Sequence, residues 1–503
     1  ISFPSSKSQN TGFKCDRVSK AIDAEKLIDY NALKTCFESI PFNAKNADKV
    51  FDDTVNPSNN DCEVIEIEGK PALQAIKDFA NKSISQSKDL GVRFNMALAP
   101  ITGLFSQQFT SRIDMPETSS ITYKLSCSKK KPFLLKRKWE ITFDGGVDFF
   151  DNVCLNLNSK STSFNDNVTS SNKNEVSTSS DKVTKLNSRD KFEVSKLNKN
   201  KPKIAHAKLI FSSDADFYLL NDDENIGVAV IDKVEDDVES SLQFGFEEFK
   251  KRKVKKIVLD FSNNDGGSVT VPLFINSILF SSKQPNSYPT RININDLTVP
   301  VIKSNFKTEG RDVDDFYNPN FYLTFPEGGR FNSADQFILG SRKNRTSNLY
   351  LNALTSDELE LIKDTPHFPW TSDDFIILTN GYCASACALT TLFFSEFHKV
   401  ETIAVGGLLG NNLSFCTYPG GEFTSSNVIL EDAGDDAADV QFPNSLFLPV
   451  RKAISFFKNG TEKEVLEYSY RPADHRFYYN ETNAKDPSIL WVEAAKILNK
   501  EKS

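Results

Sequence analysis

The 503-residue chain is too long for one compact core, and its length predicts two or three domains. Hydrophobic residues make up 39% and charged residues 25% of the chain, a composition typical of a globular protein. The formal net charge of −8 argues against a protein that binds nucleic acid or an anionic membrane. No run of about 18 apolar residues occurs, so we predict no membrane-spanning helix.

The start of the chain and its cysteines favour a secreted protein. The chain begins at Ile1 with a polar stretch, and we expect that a secretory signal has been removed before it. Eight cysteines, an even number, are compatible with disulfide bonds in an oxidising compartment. Glycosylation sequons also occur, although Asn, Ser and Thr are abundant enough to produce them by chance. They begin at Asn81, Asn167, Asn344, Asn412, Asn459 and Asn480.

The N-terminal third predicts a helix followed by a small, mostly β module. Apolar spacing over residues 16–40 is helical, and Pro41 ends the pattern. Residues 62–80 then predict an alternating strand, a turn and an amphipathic helix. Strand-like runs follow at 120–127 and 138–143.

The remainder predicts a linker and then an α/β region. Residues 157–200 are rich in Ser, Asn, Thr and Lys and have few large apolar side chains, so they predict a linker or disordered loop. Beyond them, apolar strands alternate with helical stretches such as 234–252 and 384–397. Those strands are IAHAKLIF, IGVAVI, KIVLDF and FIILTN. The predicted fold class is therefore a multidomain α+β protein.

Residues 263–267, here called the glycine turn, follow the strand KIVLDF and lead into a helix. Gly266 and Gly267 let the backbone approach a ligand and direct bare N–H groups at it, which is the geometry that an oxyanion needs. A structural turn is the alternative, since Asn-Asn-Asp-Gly-Gly is also a good turn sequence.

Residues 380–387, here called the serine turn, join the strand FIILTN to a helix. Ser385 lies there between Cys383 and Cys387. Most serines at such a position cap the helix by accepting backbone N–H bonds. The helix N-terminus would also place free N–H groups beside an attacked carbonyl, and the two alanine neighbours of Ser385 leave room for a substrate. Ser385 is therefore either a helix cap or a nucleophile.

Cys383 and Cys387 have no partner pair at the spacing of zinc ligands, and we expect no metal or cofactor. We expect instead that they form disulfides with other cysteines, for example with Cys416, and so hold the serine turn. Eight cysteines allow many connectivities, so the pairing stays open at this point.

Three segments together resemble the tail-specific (C-terminal-processing) serine protease family. They are VLDFSNNDGGSV, ILTNGYCASACALTTLF and AVGG at 404–407. Within that family the chain is most similar to the branch of the chlamydial protease-like activity factor and its secreted fungal relatives. That similarity is carried by TCFESIPFN, CEVIEIEGKPALQAI, GVRFNMALAP and YRPADHRFYYN. It covers most of the chain outside 157–200.

The resemblance implies a serine-type endopeptidase in which Ser385 attacks the peptide carbonyl. The backbone N–H groups of Ala386 and of Gly266 or Gly267 would form the oxyanion hole. The expected partner is a protein or peptide substrate, not nucleic acid, and a homodimer is a further expectation.

The resemblance also implies a PDZ-like module and a ClpP/crotonase-like protease domain with a ββα spiral. The expected regions are an N-terminal helical segment (1–45), a PDZ-like domain (46–156), a low-complexity linker (157–203) and the protease domain (204–503).

A serine at its normal pKa is a weak nucleophile and needs a general base. Bacterial members of the family use a lysine downstream of the serine, but the corresponding stretch GGLLGNNLSF has none. The chlamydial-type branch uses a histidine from an Asp-Gly-His-like motif, and residues 42–61, where it would lie, hold no histidine. Two alternatives follow: a pseudoprotease that binds peptides, or a natural transcript that encodes more residues at 42–61.

The four histidines of the chain offer no clear replacement. We expect His206 in the core of a strand, His367 in a Pro-flanked loop and His398 at the end of the helix that follows Ser385. His475 lies in a family-like motif, at a position where a different residue is expected. For the acid that orients the base, the candidate is Glu467, by its place in the C-terminal motif, and a surface glutamate is the alternative.

Overall fold

The computed structural model describes residues 22–23, 43–46, 62–98, 108–142 and 204–500, with short gaps. The gaps are 110, 113–115, 119, 128–129, 236–237, 281–287, 297, 308–316, 339–344, 418–421, 426–446, 457–461, 467–469 and 481. The predicted linker and most of the predicted helix at 16–40 lie outside the described residues. The described part of that helix, Ile22–Asp23, is a short strand.

The strands divide into three sheets, and their bounds in chain order are as follows. They are β1 Ile22–Asp23, β2 Asn43–Asn46, β3 Glu63–Ile67, β4 Lys70–Pro71, β5 Ser111–Arg112, β6 Ser120–Cys127, β7 Lys130–Thr142, β8 Ala207–Ser212, β9 Asp216–Leu220, β10 Ile226–Val230, β11 Lys256–Asp260, β12 Thr290–Ile292, β13 Tyr322–Thr324, β14 Tyr350–Asn352, β15 Phe375–Thr379, β16 Glu401–Val405, β17 Glu422–Ser425, β18 Phe447–Phe456, β19 Glu462–Val465 and β20 His475–Phe477.

The α-helices of the described residues are short, and none is long and apolar enough to cross a membrane. They are α1 Ala72–Ser83, α2 Leu90–Leu98, α3 Val238–Lys251, α4 Val271–Leu279, α5 Thr298–Lys307, α6 Ala334–Ile338, α7 Ser356–Asp364, α8 Ser385–Phe393 and α9 Ser488–Leu498.

The first sheet, with α1 and α2, forms what we call the N-terminal unit. Its strand order is β4-β3-β6-β7-β2-β5, with β1 paired to β7. Strand β6 alternates as a half-buried strand should, since Ile121, Tyr123 and Leu125 are buried and the residues between them are not. A disulfide between Cys62 and Cys127 ties the start of β3 to the end of β6.

The second sheet, here called the main sheet, has the order β20-β16-β15-β11-β10-β9-β8. Strands β10, β11, β15, β16 and β20 run parallel, and β8 and β9 are antiparallel additions. All five residues of β15 are buried, as expected for a parallel strand that is covered on both faces. Helices α3, α4 and α8 cover one face, and α9 covers the other.

A third sheet of antiparallel strands is built from segments inserted between strands of the main sheet: β12, β13 and β14 follow β11, and β17, β18 and β19 follow β16. Its order is β13-β14-β12-β18-β17, with β19 paired to β18. The fold is thus mixed α+β with several sheets, which confirms the predicted class. The PDZ-like and ClpP-like assignments stay predictions.

The last residue of β11, Asp260, is a buried carboxylate. It is 5% exposed, and its oxygens accept hydrogen bonds from Trp491 Nε1 at 2.7 Å and from the Ser262 N–H at 2.9 Å. Burial raises the pKa of Asp260, although both hydrogen bonds act against that shift. The ionised form therefore destabilises the fold.

The pH dependence of stability follows from this shift. Because the pKa of Asp260 is higher in the folded state, its contribution is complete below the unfolded value of about 3.9 and is lost as pH rises through the folded pKa. We expect the unfolding free energy of the wild type to fall relative to that of Asp260→Asn as pH rises above about 4. Urea denaturation at a series of pH values measures this difference.

Asp78→Asn is the matched control, because hydrogen bonds from Gln74 and Lys70 lower the pKa of exposed Asp78. The wild type should therefore gain stability over this variant as pH rises towards the unfolded value of about 3.9, the opposite sign. If the difference in unfolding free energy between the wild type and Asp260→Asn stays constant as pH rises above about 4, the raised pKa of Asp260 is contradicted.

Candidate active site around Ser385

The glycine turn and the serine turn meet at one edge of the main sheet. Strands β11 and β15 are adjacent and parallel, so their carboxyl ends open on the same side. A parallel bridge pairs Asn264 with Cys383, and the Ala384 N–H donates to the Asn264 carbonyl at 2.9 Å. The two turns that the sequence analysis singled out are therefore joined by backbone hydrogen bonding.

Ser385 does not cap the helix that it begins. The residue at the cap position of α8 is Ala384, whose carbonyl accepts the N–H groups of Cys387 and Ala388, and no side-chain capping bond is present. Ser385 itself has φ +48°, a left-handed conformation that is unusual for a residue other than Gly, Asn or Asp. Such strain is concentrated at functional sites, and a strand–turn–helix with an exposed serine hydroxyl is a recurrent nucleophile geometry.

Gly266 lies directly against Ser385. A Cβ atom built on Gly266 would be 2.8 Å from Ser385 Cβ and 2.7 Å from the Ala384 carbonyl oxygen, closer than such atoms approach. Gly266 also has φ +96°, which favours glycine on backbone grounds alone. The close approach and the positive φ both explain why this position is a glycine. Because glycine has no side chain, the backbone of the glycine turn can lie next to Ser385.

Two backbone N–H groups are candidates for an oxyanion hole. Ala386 lies in the first turn of α8, where N–H groups have no partner within the helix and the helix dipole is positive. The Gly266 N–H, in contrast, donates to Asn264 Oδ1 at 2.8 Å. Gly267, which is exposed, is therefore the better candidate of the two glycines.

Asn264 is a residue of this site that the sequence analysis did not single out. Its side chain is fully buried, and Nδ2 donates to the Ile231 carbonyl at 2.8 Å while Oδ1 accepts from Gly266. The only sequence signal was an asparagine beside the glycine pair, which a simple turn also explains.

The cysteines of the serine turn are bonded to each other. Cys383 and Cys387 form a disulfide with a Cα–Cα distance of 5.2 Å, so the predicted pairing with another cysteine was wrong. Cys383 precedes the helix and Cys387 lies in its first turn, and this change of direction brings the two within disulfide reach. Cys416 is a buried free thiol, and burial raises its pKa to about 12.

None of the four histidines lies beside Ser385. His398 ends the helical run that starts at Ser385, about 20 Å away at the rise of an α-helix, and its Nε2 lies 2.6 Å from Asn276 Oδ1. His475 Nε2 lies 3.0 Å from the carboxylate of Glu401, the first residue of β16. That contact is at the amino-terminal side of the sheet, about 15 Å along the strands from the serine edge.

The other two histidines are also remote. His206 is exposed rather than in the core, and it precedes β8, four strands or about 19 Å from β15. His367 is exposed in the segment that leads to the amino end of β15, where its carbonyl accepts from Lys250 Nζ at 2.7 Å.

The predicted acid, Glu467, lies outside the described residues, so its role stays a prediction. The nearest described glutamate before it in the chain, Glu464, forms an ion pair with Arg471. Arg471 Nε also donates to Glu396 at 2.8 Å. In the described part of the chain, no cluster of His, Cys, Asp and Glu is placed to hold a metal ion.

Solved structures similar to this chain include members of the tail-specific family that the sequence resembles. Mature CPAF complexed with lactacystin matches over 92% of this chain and 83% of that chain, with 13% identity and a TM-score of 0.48. The photosystem II D1 C-terminal processing protease matches over 83% and 63%, with 10% identity and a TM-score of 0.27. A lipoprotein from Streptococcus agalactiae matches over 57% and 76%, with 14% identity and a TM-score of 0.27.

No protein-family model matches the sequence, and no curated protein is a significant match.

Substitution of Gly266 tests the close packing of the two turns. Gly266→Ala should destabilise the fold by about 2–5 kcal/mol, because it adds overpacking to the cost of a left-handed alanine. Gly328→Ala is the control: Gly328 has φ +75° and nothing within 4 Å of an added Cβ, so only the backbone cost of about 1–2 kcal/mol applies. Denaturant unfolding of both variants measures the difference, and equal losses would contradict the packing described.

Proposed function

We propose that the chain is a serine-type endopeptidase of the tail-specific family and that Ser385 is its nucleophile. The observation that carries the proposal is the conformation of Ser385, which begins α8 with φ +48°, makes no capping bond and faces Gly266. A serine that served only to cap the helix would accept an N–H bond from its first turn and would not need a strained backbone.

In the proposed reaction, Ser385 Oγ attacks the carbonyl carbon of the scissile peptide bond and gives up its proton to a base. The N–H groups of Ala386 and Gly267 would stabilise the oxyanion as it develops. The C–N bond then breaks, the amine leaves with a proton, and water hydrolyses the acyl-enzyme. A serine in this geometry suits several kinds of acyl transfer. Peptide is the proposed substrate because the sequence resembles that of a peptidase family.

The proposal includes the domain assignments and a secreted location. Residues 46–156 would be a PDZ-like domain, 157–203 a linker and 204–503 a ClpP/crotonase-like protease domain. Two disulfides support an oxidising compartment. The sequon asparagines Asn81, Asn412 and Asn480 are exposed and so accessible to glycosylation.

A peptide-binding pseudoprotease is the second candidate. The observation that favours it is the position of the histidines, all of which are described and none of which adjoins Ser385. The edge of the main sheet beside the serine turn would then bind a peptide segment without cleaving it.

Covalent labelling distinguishes the two candidates. A fluorophosphonate probe should form an adduct on Ser385, located by peptide mass, and Ser385→Ala should abolish it. Under the proposal the hydroxyl is the nucleophile, and the N–H groups of Ala386 and Gly267 would stabilise the oxygen of the adduct. A folded wild type that takes no label but binds peptides would overturn the peptidase proposal in favour of the pseudoprotease.

Each histidine can be tested in the same assay. We expect separate glutamine substitutions of His206, His367, His398 and His475 to lower the labelling rate of the folded protein by much less than about 100-fold. Removal of a general base would lower it by about 100-fold or more. His398→Gln should lower stability, since His398 is 2% exposed and stacks on Phe280. A loss of that size in any variant with an intact fold would identify that histidine as the base.

A further inference from the structure

A helix of the N-terminal unit reaches the carboxyl ends of two strands of the main sheet. Asn95 on α2 is 7% exposed, and its Nδ2 donates to the carbonyls of Asn380, at 2.7 Å, and of Val405, at 2.8 Å. Its Oδ1 accepts from the Gly407 N–H at 2.6 Å. One side chain therefore ties together the segments that follow β15 and β16.

Asn380 passes this contact on to the glycine turn. Its Nδ2 donates to Asn263 Oδ1 at 2.6 Å, and its Oδ1 accepts the N–H of Asn263 at 3.1 Å. The same Oδ1 also accepts the Tyr382 N–H at 3.2 Å. Asn380 thus binds the glycine turn and the serine turn at once, while its own carbonyl is held by Asn95.

The packing at this contact leaves no room for a side chain at two glycines that follow strands of the main sheet. A Cβ on Gly406 would be 2.5 Å from Asn95 Oδ1, and a Cβ on Gly381 would be 2.6 Å from Val92 Cγ2. Both glycines have positive φ. A second anchor from the same region, Asp89 Oδ2, accepts the Ser414 N–H at 2.7 Å.

We propose that Asn95 is a positioning residue that acts through Asn380 and Asn263 to hold the glycine turn and the serine turn in register. The reactivity of Ser385 then depends on the placement of α2, so the N-terminal unit helps to position the residues of the site. The effect on Ser385 rests on the proposed function. The hydrogen-bonded series of Asn95, Asn380 and Asn263, here called the relay, does not.

The chemistry of the amide explains why asparagine is needed at position 95. Its NH2 group faces two carbonyl oxygens and its oxygen faces one N–H, so all its partners are satisfied in a single orientation. An aspartate of the same shape would set an oxygen against those two carbonyls. Asn95→Asp is therefore a near-isosteric substitution that reverses the interaction.

Hydrogen exchange of the full-length chain tests the relay independently of activity. In Asn95→Asp, exchange should accelerate in peptides that cover 261–268 and 380–388. Arg93→Met is the control on the same helix, because Arg93 Nη1 bonds to carbonyls of the N-terminal unit, those of Asn81 and Ile84. It should not change exchange in either peptide.

The rate of fluorophosphonate labelling at Ser385 should fall about 10–100-fold in Asn95→Asp, as expected for a displaced nucleophile, and should be unchanged in Arg93→Met. If Asn95→Asp does not fold, Asn263→Gly takes its place. That variant keeps the φ of +62° and removes only the side chain that Asn380 binds. It should accelerate exchange in 380–388.

The outcomes separate the two ideas. Unchanged exchange in 261–268 and 380–388 in a folded variant overturns the relay, whatever the wild type does with the probe. Accelerated exchange in a chain whose wild type takes no label supports the relay and overturns the peptidase proposal. Accelerated exchange with an unchanged labelling rate overturns the positioning role of Asn95.

Discussion

The hydrogen bonds of Asn264 are the constraint on which the geometry around Ser385 depends. Its backbone carbonyl holds the Ala384 N–H, and its fully buried amide holds the Gly266 N–H and the Ile231 carbonyl. Three strands of the main sheet are therefore linked where their carboxyl ends meet. A buried amide with satisfied partners has no alternative orientation, because any other would leave a polar group unpaired in a dry interior.

The strain in this region is shared between the two turns. Several residues there have positive φ, and they belong to neighbouring strand ends. They are Asn263, Gly266, Gly267, Gly381 and Ser385, of which the two residues other than glycine, Asn263 in one turn and Ser385 in the other, are strained. Strained backbone persists only where the surroundings over-determine it, and here the asparagine side chains and the disulfide do so. The energy stored in the turns is thus offset by interactions that come from outside them, including from the N-terminal unit.

The sequence predicts the secondary structure that supports the site far better than the contacts within it. The apolar segments IGVAVI, KIVLDF and FIILTN match β10, β11 and β15, because buried parallel strands need continuous apolar runs. Ser385 was placed at a helix start, but its positive φ depends on the approach of Gly266, and no local pattern encodes that. Asn95 was missed for a related reason: its partners lie 285 and 310 residues away in the chain.

The two disulfides of the described residues constrain the chain on different scales. Cys62 and Cys127 are 65 residues apart, so their bond removes about 4 kcal/mol of loop entropy from the unfolded chain, whereas Cys383 and Cys387, four apart, remove about 2 kcal/mol. A short loop closes easily before any tertiary structure exists. The bond around Ser385 can thus form while the chain is still unfolded, so that the backbone of the serine turn is shaped covalently before the sheet that presents it has been assembled.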